Sequence, residues 1–110
     1  MKLSMKTILE GKTVAEYEEM FGAVDYEGDT YITLQQAYIS GLGEDAEYVT
    51  SAVKLGEEID EDDEGNPFRV NVYEVSWIPV EGWENNDDES DNCDWDSPDG
   101  CREVSWAYVG

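Results

Sequence analysis

Histidine is absent from these 110 residues. Without it there is no Ser-His-Asp triad, no Cys-His nucleophile pair and no His-based zinc site. Positive charge is nearly as scarce: 6 Lys+Arg stand against 28 Asp+Glu, a formal net charge of -22. The few cations are scattered along the chain. That excludes a free-standing binder of DNA or RNA, which needs clustered Lys and Arg to displace counterions. Attachment to anionic membrane surfaces is excluded for the same reason. No run approaches the roughly 20 apolar residues of a membrane span. The segment Met1 to Lys12 lacks the apolar stretch and small-residue cleavage site of a secretory leader. Both features predict a cytoplasmic protein. Cysteine is limited to Cys93 and Cys101. In a reducing compartment these read as free thiols rather than a bridge; a disulfide across the intervening Gly- and Pro-containing loop would need an oxidant.

What is abundant argues for a fold. Acidic chains poor in aromatics are disordered, but this one is 40% apolar and holds 4 Trp, 7 Tyr and 2 Phe. The length suits a single domain, residues 1–110, burying roughly two thirds of its unfolded surface, enough for one core and not two.

Thr13-Val14-Ala15-Glu16 has the Thr-x-x-Glu form of a capping box. Val14, Tyr17, Met20 and Phe21 follow at helical spacing and Gly22 supplies a stop, which predicts a helix over 13–21. Residues 2–9 read as either a strand or a helical extension. Ala23 to Tyr26, a Glu27-Gly28-Asp29 turn and Thr30 to Leu34 read as a hairpin. Thr33-Leu34-Gln35-Gln36 offers a second capping box, so a short helix over 34–40 competes with it. Tyr48 to Leu55 alternates like a strand, with a helix over 44–55 as the competitor. Phe68 to Ile78 and Arg102 to Val109 are rich in β-formers, and Val104, Trp106 and Tyr108 share a face. The tetrapeptide Glu-Val-Ser-Trp occurs at 74–77 and 103–106; two short copies are too few for a repeat architecture and fit two paired antiparallel strands. Trp77 and Trp106 are expected in the core. The expected architecture is α+β: an antiparallel sheet of three to five strands, mostly from residues 46–109, with one or two short N-terminal helices.

Two connections carry most of the charge. The first, 57–67, holds Glu57, Glu58, Asp60, Glu61, Asp62, Asp63 and Glu64; the second, 81–99, holds Glu81, Glu84, Asp87, Asp88, Glu89, Asp91, Asp94, Asp96 and Asp99. A charge run is usually a solvated face. Yet this net charge far exceeds the magnitude of about 2 to 8 that suffices for solubility, and it costs stability through self-repulsion. Carboxylates at i and i+2 on a strand lie about 7 Å apart, a spacing comparable to neighbouring phosphates. Clustered acids of this kind would face the basic groove of a nucleic-acid-binding protein, with Glu57, Glu58, Asp60 to Glu64, Asp87 to Glu89, Asp91, Asp94, Asp96 and Asp99 as contacts. Trp83 and Trp95, inside the second segment, are either anchors tying it to the sheet or exposed interface residues.

Other chemistries fit less well. Asp91 to Gly100 matches the EF-hand loop D-x-[DN]-x-[DN]-G only poorly. Pro98 intrudes, Asp94, Asp96 and Asp99 place one residue too many before Gly100, and the twelfth position is Ser105 from Asp94 or Arg102 from Asp91. Among 28 acids close carboxylate pairs are unavoidable, and a chain of this length leaves little room for a pocket. No enzyme activity, cofactor or metal is therefore expected. In size, charge, acidic loops and absence of catalytic groups the chain resembles the small acidic DNA-mimic inhibitors of phages and plasmids, such as antirestriction and some anti-CRISPR proteins. That resemblance implies inhibition of a CRISPR effector or restriction enzyme in the host cytoplasm, and implies no particular fold. An immunity protein against a basic toxin nuclease shares the electrostatics. An ordinary domain of a halophile shares the composition, although solvent adaptation should spread acids over every face.

Overall fold

The computed structural model describes Ser4, residues 7–9 and residues 11–109, with the backbone alone at Ile8 and Glu89. The strand or helical extension expected over 2–9 falls partly outside these residues. Within them, β1 (Ile8–Leu9) and β2 (Lys12–Thr13) form an antiparallel ribbon. Helix α1 (Val14–Phe21) follows directly, because the Thr13 hydroxyl accepts from Glu16 N at 3.2 Å as the capping box requires. Gly22, at φ +92°, ends it and donates to the Glu18 carbonyl.

The rest is antiparallel sheet. β3 (Ala23–Tyr26) and β4 (Asp29–Thr33) make a hairpin around Glu27-Gly28, both at positive φ, the geometry of a type I′ turn. β5 (Tyr38–Ser40), β6 (Glu47–Lys54), β7 (Asp60–Glu61), β8 (Pro67–Trp77) and β9 (Gly100–Tyr108) complete it. β4 and β5 lie end to end along one edge of β6, and β6 and β7 lie end to end along one edge of β8. β9 covers the other edge of β8. Thus the eleven residues of β8 form the spine of the molecule.

The sheet divides the core in two, because successive side chains point to opposite faces. On one face Ile32, Val53 and Val70 pack beneath Leu9, Val14, Tyr17 and Ile59. On the other, Tyr31, Tyr48, Ala52, Tyr73, Val75 and Trp77 pack with Cys93. Tyr31 on β4 and Cys101 on β9 share this second cluster although β6 and β8 lie between them. Strands about 4.8 Å apart would hold them some 14 Å apart in a flat sheet, so the sheet curls with this aromatic face concave.

Several expectations need correction. The main sheet has seven strands rather than three to five, with most of its strand residues at 46–109 as expected, and it is joined by a separate two-strand ribbon. There is one α-helix among the described residues. The extra strands have two or three residues each, too few to show a period of two. The second capping box caps nothing: Thr33 is a strand residue whose hydroxyl donates to the Gly22 carbonyl. The chain at 47–54 is strand throughout. The two Glu-Val-Ser-Trp copies do sit on paired strands, but their surroundings are opposite. Val75 and Trp77 are 0% and 3% exposed, whereas Val104 and Trp106 are 47% and 49% exposed. β9 is an outer strand with an extra residue at Val104, and its far end extends past the concave cluster. Trp106 is therefore not a core residue; the Arg69 guanidinium lies over its ring and Tyr108 meets it edge-on.

Candidate acidic interface

The two acidic connections lie at opposite ends of β8, separated by about 33 Å of strand at a rise of about 3.3 Å per residue. They are not equivalent. At the β7 end the charge is partly used internally. Glu57 turns inward, accepting from the Tyr73 hydroxyl and, at 2.9 Å, from Asn71 Nδ2. Lys54 lies 3.8 Å from Glu57 and 3.7 Å from Asp29, above the rings of Tyr31 and Tyr73. Asp60 pairs with Arg69. Asp62 shapes the turn by accepting from the backbone N–H groups of Glu64 and Asn66, both at 2.9 Å. Glu58, Asp63 and Glu64 are exposed, and Glu61 lies on β7.

The second connection is different. No Lys or Arg occurs between Arg69 and Arg102, and among the described residues no cation pairs with any carboxylate of 81–99. Asp87, Asp88, Asp91, Asp94, Asp96 and Asp99 are all exposed. Glu89 begins a short 3-10 turn, and its side chain lies outside the described part. Segment 81–99 contains no strand, so a strand-borne row of carboxylates does not exist here. The acids are displayed instead by 3-10 turns and bends.

This loop is nevertheless fastened. Asn92 is buried; its Nδ2 donates to the Tyr48 hydroxyl at 2.8 Å, and its carbonyl accepts from Val80 N at 2.7 Å. Trp77 Nε1 donates to the Trp95 carbonyl, and Trp95 Nε1 to the Ser90 carbonyl. The Trp95 ring meets Tyr48 and Trp77 edge-on, each at 5.2 Å, and Trp83 meets Tyr48 at 6.0 Å. Trp83 and Trp95 are thus anchors. Asp99 N closes the loop onto the Ser76 carbonyl. Hydrogen bonds from Ser90 hold the Asp88 carboxyl below its ordinary value, so it stays ionised.

The concave centre has the partners of a structural network. Burial, reinforced by Cys101, raises the Tyr31 pKa, and burial with the Glu57 hydrogen bond raises that of Tyr73. Burial pushes the Cys93 thiol up to about 11 and raises Cys101 as well. Both cysteines are free thiols poorly suited to nucleophilic work. Among the described residues no three Cys, Asp or Glu side chains converge to hold a metal ion. No described helix is long and apolar enough to cross a membrane.

A chain of this length leaves little room for a pocket, yet one of about 840 Å³ opens between the acidic loop, the end of α1 and the β4–β5 link. The α1 and acidic-loop sides of its wall lie fifty or more residues apart in sequence, so no local pattern announced it. No protein-family model, curated protein or solved structure matches this chain, and its function must be read from this geometry.

Proposed function

We propose that this protein is a stoichiometric inhibitor that presents its fastened acidic loop to the basic groove of a nucleic-acid-binding defence protein, a CRISPR effector or restriction enzyme. One observation carries the reading. The connection 81–99 displays exposed carboxylates that, among the described residues, no cation pairs with, on a backbone tied to the sheet by Asn92, Trp77 and Trp95. Unpaired like charges repel one another and are costly to hold together. A loop free to spread would relieve that cost; this one is built to resist spreading. A preorganised polyanionic surface loses little conformational entropy on binding, and long-range attraction speeds its capture by a basic groove. Catalysis is no part of this reading: occupancy alone excludes the nucleic acid.

The test is displacement. Labelled duplex DNA is bound to purified restriction enzymes and CRISPR effector complexes, and the protein is titrated in at low and high salt. The expected result is displacement near one-to-one from at least one of them, weakening as salt rises. Failure to displace duplex from any of them at low salt overturns the reading.

A further inference from the structure

The 840 Å³ cavity has two chemically distinct walls. One combines apolar side chains with neutral polar ones: Met20 and Phe21, at the end of α1, are exposed, and Ala37 lies in the β4–β5 link beside Gln35 and Gln36. The other is the acidic loop, contributing Asp87, Asp88 and Asp96 with the half-buried Trp95 between them in sequence. Among the described residues no Lys or Arg lines the cavity. The volume is that of a ligand site, and the lining sets the ligand's form: an apolar stem and a cationic head. A long basic side chain has that form. Two features favour arginine over lysine. A planar guanidinium can stack on aromatic rings, here those of Phe21 and Trp95, and its fork of donors can engage carboxylates in pairs. A second copy of the chain does not fit, since each carries a net charge of -22.

We propose that this cavity is an arginine-binding site: it seats one or more arginine side chains from a basic segment of the inhibited protein. This deepens the function proposed above and rests on it for the identity of the partner. The loop would then do more than repel nucleic acid, because a shaped pocket selects among basic surfaces that a diffuse charge would treat alike.

The probe is an octa-arginine peptide, titrated into the full chain at about 0.1 M salt and followed by tryptophan fluorescence and calorimetry, with an octalysine peptide in parallel. The expected result is saturable one-site binding that favours octa-arginine. Neutralising the pocket with Asp87→Asn, Asp88→Asn and Asp96→Asn should weaken binding about tenfold or more, while the charge-matched set Glu58→Gln, Asp63→Asn and Glu64→Gln at the other pole leaves it within about twofold. Ala37→Trp, which fills the cavity without changing charge, and Phe21→Ala, at an exposed position, should each weaken it too; thermal melts verify that each variant is folded. Equal weakening by the two charge sets, unweakened binding by both folded cavity variants, or equal affinity for the two peptides overturns the proposal. Peptide failure alongside successful duplex displacement removes the pocket and spares the inhibitor reading. The reverse pattern spares the pocket and removes the reading.

Discussion

A buried hydrogen bond, Asn92 Nδ2 to the Tyr48 hydroxyl, joins the acidic loop to the floor of the concave cluster. Both residues are buried, so losing one partner strands the other away from water. Asn92→Ala should cost about 1–3 kcal/mol, read by urea unfolding, whereas Tyr48→Phe, which keeps the ring packing, should cost less. Cys93 makes a pH prediction. Burial raises its pKa in the folded chain from 9.0 to about 11, so the unfolded thiol ionises first. That stabilises the folded state fully below pH 9 and less and less as the pH rises toward about 11. Tyr31 and Tyr73, also raised, add the same sign at higher pH. Melting temperature should therefore fall through this alkaline window, and Cys93→Ala should make the fall shallower. A steeper fall in that variant would contradict the assignment. Residue identity alone did not reveal which tryptophan is buried. Trp77 and Trp106 end identical tetrapeptides, and only the strands around them, not their neighbours in sequence, bury one and expose the other.

The elements best read from sequence are those whose signal is local. Helix α1 was legible because its cap, its inward face at Val14 and Tyr17 and its glycine stop lie within ten residues. The β3–β4 hairpin and the long strands β8 and β9 were legible from composition and turn residues. β5 and β7 were not, since each exists only because a neighbouring strand offers an open edge, a fact no short window contains. The second capping box failed for a related reason: Gly22 brings a carbonyl to Thr33, and that tertiary bond outcompetes a cap. The acidic segments were plain in the sequence. Their inequality was not, because it depends on where Lys54 and Arg69 sit in space. The hairpin also carries a prediction. Glu27 takes a positive φ of 50°, which favours asparagine over a long side chain. Glu27→Asn should stabilise the protein by roughly 0.5–1 kcal/mol in urea unfolding. Unchanged or lower stability would show that the turn carries no strain.

Across the whole molecule, the described cations are all engaged. Lys12 lies over Tyr17, Lys54 over two tyrosines and beside two carboxylates, Arg69 beside Asp60 and Arg102 beside Glu74. Little positive charge is left to offset the acidic loop, so folding proceeds against self-repulsion that falls with salt. The Debye length shrinks from about 30 Å at 0.01 M to about 10 Å at 0.1 M, from roughly the distance between the two poles to a fraction of it. Melting temperature should climb steeply over that range. Asp87→Asn, Asp88→Asn and Asp96→Asn together should raise it at low salt and flatten the climb more than Glu58→Gln, Asp63→Asn and Glu64→Gln. The second set shares its connection with the carboxylates that Lys54 and Arg69 pair, whereas among the described residues no cation pairs with a carboxylate of 81–99, where the first set lies. Asn at position 88 keeps the oxygen that accepts from Ser90. The same melts separate a binding surface from adaptation to brine. What fastens the acidic loop is aromatic packing and neutral hydrogen bonds, none of which needs salt. The chain should therefore unfold cooperatively from a folded state even at 0.01 M salt. Folding only in molar salt would mean that the acids serve the solvent rather than a partner.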